Sequence, residues 1–345
     1  MSAARLALRR ARDAPRLGFL GLGWIGRKRL EAVSPSGAIV AALADCDAAR
    51  LRAAAEAHPH AKMVANLDEL LACDLDGVVI ATPNALHARQ TIACLRRGLA
   101  VFCQKPLAVS ASETRAVLDA AQSADRLLGV DLCYRYVQGM SELRRLIRGD
   151  ELGDILAIEL AFHNAYGPDK AWAYDRTLSG GGCLLDLGVH LLDLALWLQD
   201  GPEMTLTGRG LFSCGAILDP RSATVEDMAL AEFVQPGGAV VRLACSWNAH
   251  AGCDAVIGMH IFAARGGARF SNVNGSFYDF TLDVFRGRSA QRIGAPPDDW
   301  GARALTAWID RLRNDRSFDP EALLVERGAR LIDEIYGSCD GPTTL

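Results

Sequence analysis

Asp186, His190 and Asp193 interrupt one side of an apolar run, Leu184 to Leu198, that Gly180-Gly181-Gly182 introduce. Residues three and four apart share a helix face, so the run predicts a helix with carboxylate, imidazole and carboxylate on one side. Leucines, Val189 and Trp197 fill the other sides. Such a helix belongs in a core, and its polar groups then need partners. A carboxylate one turn from an imidazole can fix the ring's tautomer and stabilise the imidazolium once the ring has taken a proton, which is a general-base arrangement. The same spacing also describes a core histidine satisfied by its neighbour, and the helix alone does not separate the two readings. Gly188 inside the helix costs about 1 kcal/mol against Ala, which points to a close approach to the backbone there.

The chain that must position these groups has 345 residues, of which 50% are apolar, enough for two domains with substantial cores. A net charge of -4 with both signs interspersed leaves no basic field for nucleic acid and favours small-molecule chemistry. The ten cysteines are scattered through mostly apolar segments without a C-x-x-C pair. They read as reduced, buried thiols of a cytoplasmic protein, and no metal is expected. Residues 1–15 carry Arg5, Arg9, Arg10 and Arg12 but no apolar core long enough for a secretory signal, so they read as a disordered leader. Two carboxylates and a histidine argue against a membrane span even in the Leu184 to Leu198 run.

A second chemical pattern opens the chain proper. The apolar run Arg16 to Leu20 feeds into Gly21-Leu22-Gly23-Trp24-Ile25-Gly26 and then an amphipathic helix to about Val33. In this strand-turn-helix setting the first glycine permits the turn, the second lets a pyrophosphate approach, and the third lets helix and strand pack; Trp24 and Ile25 belong to the same cradle. A second predicted strand, Ala38 to Leu43, leads to Asp45, about 20 residues after the last glycine, where an acid would accept the ribose hydroxyls and repel a 2'-phosphate. The cofactor indicated is NAD rather than NADP, although Arg50 follows one helical turn on.

Strand and helix continue to alternate: helix Leu67 to Ala72, strand Gly77 to Ala81, helix Asn84 to Arg97, strand Ala100 to Cys103, helix Ser110 to Ala124, strand Leu127 to Cys133. A doubly wound parallel sheet follows from this α/β pattern. Thr82-Pro83-Asn84, with His87 in the next helix, stand at the strand ends where such sheets bind ligands and are expected to line the cofactor cleft, though Pro83, Asn84 and His87 also suit a helix start. Gln104-Lys105-Pro106 end the next strand at the same edge, and a lysine there can donate to a substrate oxygen or stay a solvated charge.

The pattern changes at about residue 134, giving domains at 16–133 and 134–345. A helix to Arg148 and a strand from Ile155 to Phe162 precede the polar stretch His163 to Ser179. Arg135, Asn164, Tyr166 and Trp172 are candidate substrate residues by position, though such side chains in a loop equally make plain surface. From Met204 onward period-two runs at Met204 to Phe212, Asp227 to Val234, Ala239 to Trp247, Gly258 to Ala264 and Asp279 to Phe285 predict an open, largely antiparallel sheet. Phe212, Phe233 and Trp247 are candidates for its second face. Two helices, about Trp300 to Arg313 and Pro320 to Ile335, close the chain.

The glycine turn, Thr82-Pro83-Asn84 with His87, Lys105-Pro106, and the Gly-Gly-Gly helix with Asp186 and His190 occur in the order of one family. The chain resembles the glucose-fructose oxidoreductase, inositol dehydrogenase and MocA family over roughly Leu17 to Tyr336. That resemblance implies an N-terminal Rossmann domain and a C-terminal α/β domain whose open sheet forms a homodimer or homotetramer interface. It also implies NAD(P)-dependent oxidation or reduction of sugars, cyclitols and related compounds. Lys105 corresponds to the family's active-site lysine, and Asp186 and His190 to its carboxylate and histidine. The family usually has Glu-Lys-Pro; Gln104 keeps the hydrogen-bonding capacity of that position without its charge. A cofactor-binding sensor without turnover, or an enzyme using transient oxidation for a net non-redox reaction, would share these features.

Overall fold

The computed structural model describes residues 14–219 and 222–337. Most of the leader expected at residues 1–15, and Cys339, lie outside the described residues. The chain forms two compact units. The first comprises the chain through Ala108, Arg115–Asp131 and Ala302–Ala322; the second comprises Val109–Thr114, Leu132–Gly301 and the chain from Leu323.

In the first unit β1 (Arg16–Leu20), β2 (Ile39–Ala44), β3 (Lys62–Val64), β4 (Gly77–Ile80), β5 (Ala100–Cys103) and β6 (Leu128–Val130) form a sheet ordered β3-β2-β1-β4-β5-β6. Every pairing is parallel. Helices supply the crossovers, and β4 and β5 are buried along their whole length, as apolar strands covered on both faces must be. The order reverses between β1 and β4, the switch point at which open α/β sheets bind ligands. β3 escapes the sequence pattern because only Val64 of its three residues is buried.

Beside the expected division at 133/134, two segments group across it: Val109–Thr114 with the second unit and Ala302–Ala322 with the first. The Arg303–Asn314 helix lays Trp308 on Phe102 with ring centroids 5.7 Å apart. A Cβ at either Gly77 or Gly129 would come within 2.7 Å of the same indole. These two strand glycines make room for the tryptophan, so β4 to β6 are covered by chain from beyond residue 300.

In the second unit β7 (Ile155–Asn164), β8 (Thr205–Ser213), β9 (Ala216–Ile217), β10 (Met228–Val234), β11 (Val240–Ser246), β12 (Ala255–Ala263), β13 (Gly266–Asn272), β14 (Phe280–Arg286) and β15 (Ser289–Gly294) form one sheet. Its order is β15-β14-β13-β12-β7-β11-β10-β8-β9, antiparallel except for β7 and β11. One face packs on helices that include Val189–Leu198 and Leu324–Tyr336. Phe233 and Trp247 are buried, 0% and 4% exposed, so neither serves the second face.

On the opposite face the register aligns Glu232, Arg242, Glu159, His260, Arg269, Asp283 and Arg292 across seven strands. Charges alternate along this row, with Arg242 on Glu232 and Arg292 on Asp283, both at 2.8 Å. Met228, Leu230, Val256 and Phe262 flank it as exposed apolar side chains. The segment Arg176–Leu198 matches a membrane span in length and hydropathy, contrary to the sequence reading. It is a core helix here, with 89% of its most apolar window buried.

Candidate active site

The first unit contributes the glycine turn. Gly21 has φ +93°, and a Cβ there would lie 2.5 Å from the Ala81 carbonyl oxygen. At Gly26 a Cβ would lie 2.1 Å from the Gly21 oxygen, so neither position admits a side chain. Nothing lies within 4 Å of a Cβ built on Gly23, which starts the Trp24–Glu31 helix without a side-chain cap. Open space over uncapped N–H groups suits a dinucleotide's phosphates. Trp24 is 57% exposed beside it and Ile25 is half-buried.

Asp45 braces this turn. One carboxylate oxygen accepts from the Leu22 N–H at 2.6 Å and the other from the Asp47 N–H at 2.8 Å. Each oxygen retains a lone pair, so the acid can still accept from a ribose hydroxyl. Arg50, the nearby cation in the sequence, is paired with Asp47 at 3.3 Å.

The Thr82 hydroxyl donates to Gln90 at 2.6 Å, Pro83 precedes the Asn84–Arg96 helix, and Asn84 is half-buried in its first turn. His87 departs from the expectation that it lines a cleft. It is 1% exposed, with Nδ1 2.7 Å from the Pro106 oxygen and Nε2 2.7 Å from the Thr82 oxygen. Burial lowers its pKa, the two carbonyls oppose that shift, and nearby Lys105 adds to it. The ring ties the ends of β4 and β5 together. Lys105 is half-buried, held between buried Gln104 and buried Pro106.

The second unit carries the helix. Its first turn is wider than sequence periodicity allows for: Leu184–Gly188 is a π turn that passes into the α-helix Val189–Leu198. Such insertions are uncommon and cluster at functional sites. Asp186 lies in the π turn and accepts from the Trp247 indole N–H at 3.2 Å. His190 is 8% exposed, edge-on to Tyr134 with centroids 5.0 Å apart at 89°. Gly188 fits the expected close approach, since a Cβ there would meet Cys245 Sγ at 3.3 Å.

Asp193 and Arg135 have a different role from the one their positions suggested. Arg135 Nε donates to Asp193 Oδ2 at 2.8 Å and a terminal nitrogen to Oδ1 at 2.5 Å. The pair is nearly buried, with side-chain exposures of 12% and 9%. Arg135 is thereby tied to the helix, where the sequence suggested a loop side chain facing substrate. Asn164 is half-buried at the end of β7, Trp172 is half-buried in a short 3-10 turn, and Tyr166 is 52% exposed beside Phe277.

Two residues that the sequence reading passed over support Asp186. Tyr174 packs on Trp247 at 5.6 Å, and burial together with the Asp186 charge raises its pKa. Glu226 is fully buried, and Oε1 accepts from the N–H groups of Gly182 and Leu184 at 3.0 Å and from the Tyr336 hydroxyl at 2.8 Å. Burial raises the Glu226 pKa against these donors. A Cβ on Gly182 would fall 1.9 Å from the Glu226 carbonyl oxygen, which accounts for a glycine just before the π turn.

The sequence itself matches two family models, an oxidoreductase family with an NAD-binding Rossmann fold over residues 16–132 and the GFO/IDH/MocA C-terminal domain over residues 140–269. The chain belongs to the Gfo/Idh/MocA oxidoreductase family. It is 33% identical over 273 residues to a protein assigned as the oxidoreductase subunit of a UDP-kanosamine synthase in Amycolatopsis mediterranei, covering 73% of this chain and 74% of that protein. It is 28% identical to the D-glucoside 3-dehydrogenase of Escherichia coli over 52% of this chain and 54% of that protein. With an inositol 2-dehydrogenase of Corynebacterium glutamicum it shares 28% identity over 53% of each chain. The matched stretch thus spans about half the length of these last two relatives. Among solved folds, KijD10, a 3-ketoreductase from Actinomadura kijaniata in complex with NADP and TDP-benzene, superposes with a TM-score of 0.79 at 20% identity, covering 94% of this chain and 97% of that one. Levoglucosan dehydrogenase with NADH and levoglucosan gives 0.80 at 20% identity over 94% and 96%.

Proposed function

We propose that the chain is an NAD-dependent dehydrogenase acting on a secondary carbinol of a sugar, cyclitol or related polyol. The observation that carries this reading is His190, buried at a π-to-α junction one turn from Asp186. The nicotinamide, when bound, takes the hydride from the carbinol carbon. As the carbonyl forms, the hydroxyl proton must pass to a base, and His190 is that base. Asp186, steadied by the Trp247 indole, stabilises the imidazolium electrostatically. Lys105 donates to the reacting oxygen and offsets its developing negative charge.

Two relatives are named for oxidation at carbon 3 of a glucoside or glucose 6-phosphate. Hexose glycosides and hexose phosphates therefore lead the panel that tests the reading: purified protein, NAD, and polyols, sugars and sugar acids, followed at the NADH absorbance. No NADH from any member would move the reading to a sensor or to net non-redox chemistry. The preference for NAD rests on Asp45 and on the pairing of Arg50 with Asp47. Titration calorimetry is expected to show NAD binding more tightly than NADP, and Asp45→Ser is expected to narrow the gap by on the order of tenfold, or ~1.4 kcal/mol. Wild-type preference for NADP would refute that choice.

The assembly we propose is a homodimer or homotetramer through the free face of the nine-stranded sheet. Support comes from the apolar rows flanking an alternating charge ladder, a pattern that a second copy can match in self-complementary fashion. Sedimentation at micromolar concentration is expected to show two or four chains. A lone monomer would count against it. A cytoplasmic location fits the buried thiols of Cys94, Cys103, Cys183 and Cys245.

A further inference from the structure

Gln104, the residue at which the chain departs from Glu-Lys-Pro, is 6% exposed at the end of β5. Its Nε2 donates to Asp131 Oδ2, just beyond β6. The same oxygen accepts from Arg29 Nε at 2.5 Å, and Arg29 belongs to the helix that follows the glycine turn. All three side chains are buried, Asp131 to 1% and Arg29 to 9% exposure. Asp131 Oδ1 is also buried and has no hydrogen-bond partner among the described residues.

In this cluster a guanidinium meets the Asp131 carboxylate without any charge from residue 104. A carboxylate at position 104 would face Asp131 across a hydrogen-bond distance, with no donor between them. Buried like charges at contact cannot both stay ionised, so such a pair would take up a proton or push apart. A carboxamide supplies the donor that Asp131 requires and adds no charge. The residue beside Lys105 is therefore matched to a carboxylate just past the end of the neighbouring strand.

We infer that Asp131 fixes Gln104, and with it the strand end that carries Lys105, and that Arg29 couples this anchor to the helix after the glycine turn. Gln104 and Asp131 are positioning residues; Lys105 is the group that meets substrate. This inference rests on the dehydrogenase reading for its catalytic arm, but not for its binding arm.

An exchange of partners tests it. Gln104→Glu alone places two carboxylates together, and Asp131→Asn alone takes the Asp131 charge away from Arg29. Each is expected to weaken NADH binding and to lower kcat/KM by on the order of tenfold. Gln104→Glu combined with Asp131→Asn restores one carboxylate, one amide donor and one guanidinium, and is expected to return both quantities to within about twofold of wild type. NADH binding, read by nicotinamide fluorescence, needs no substrate. Gln104→Met, close in volume but without a donor, covers the case in which a single charge variant does not fold; it is expected to lower the unfolding midpoint modestly, since Asp131 loses one donor, while lowering kcat more than it raises KM. Additive losses in the exchange variant, or a Gln104→Glu variant that binds and turns over like wild type, would overturn the inference. Absence of turnover with every substrate would remove the dehydrogenase reading and leave the binding cycle to decide this one.

Discussion

Replacing His190 with Asn is expected to lower kcat by on the order of 10²- to 10⁴-fold, the range for loss of a general base. Asn keeps a polar group in the pocket against Tyr134 but cannot accept a proton from a carbinol at neutral pH. NAD affinity is expected to hold within about twofold, since the glycine turn and Asp45 belong to the other unit. Asp186→Asn is expected to act in the same direction and less strongly, because it removes stabilisation of the imidazolium while leaving the ring. Stopped-flow measurement of hydride transfer isolates the chemical step from product release. Wild-type transfer rates in the His190 variant would reassign that side chain to the core.

The second large effect is on stability. Arg135→Ala takes from the buried Asp193 carboxylate the guanidinium that donates to both of its oxygens, at 2.8 and 2.5 Å. Stripping one partner from a buried pair costs ~3–5 kcal/mol, because the remaining charge has lost its compensation. The guanidinium also lies 5.7 Å from the Trp197 ring centroid, so packing is lost with the charge. Denaturant unfolding followed by tryptophan fluorescence is expected to show this loss. Replacing both residues with apolar ones is expected to recover much of it. An unchanged midpoint in Arg135→Ala would show that the pair carries no stabilising weight.

What could be read from the sequence was what repeats locally. β1, β4 and β5 are apolar runs with turn residues at their ends, and the His190 helix is an apolar run with polar exceptions, so their kind and place follow from periodicity. β13 is absent from the period-two runs because it begins at Gly266-Gly267, residues that also suit a turn. The π turn at Leu184–Gly188 cannot be seen in residue types, since it depends on how the Gly180-Gly181-Gly182 entry meets Glu226. Glu226 was missed for the same reason: a polar residue between strands looks like solvent-facing loop until the chain brings Gly182, Leu184 and Tyr336 to it. Arg135 and His87 were placed on the correct segments but given exposed roles, because polarity says nothing about which buried partner awaits it. Gln104 was noticed for its departure from the family pattern. Its explanation, Asp131, sits just past the end of another strand.

The return of Ala302–Ala322 to the first unit sets an order of events during synthesis. Domains commonly fold as they emerge, the N-terminal one first. Here the nucleotide-binding sheet leaves the ribosome with the recess at Gly77 and Gly129 still lacking Trp308. It waits while the whole nine-stranded sheet is translated, and only then receives the helix that covers β4 to β6. A nascent chain stalled after Asp131 would carry every residue of the glycine turn and still lack a finished core.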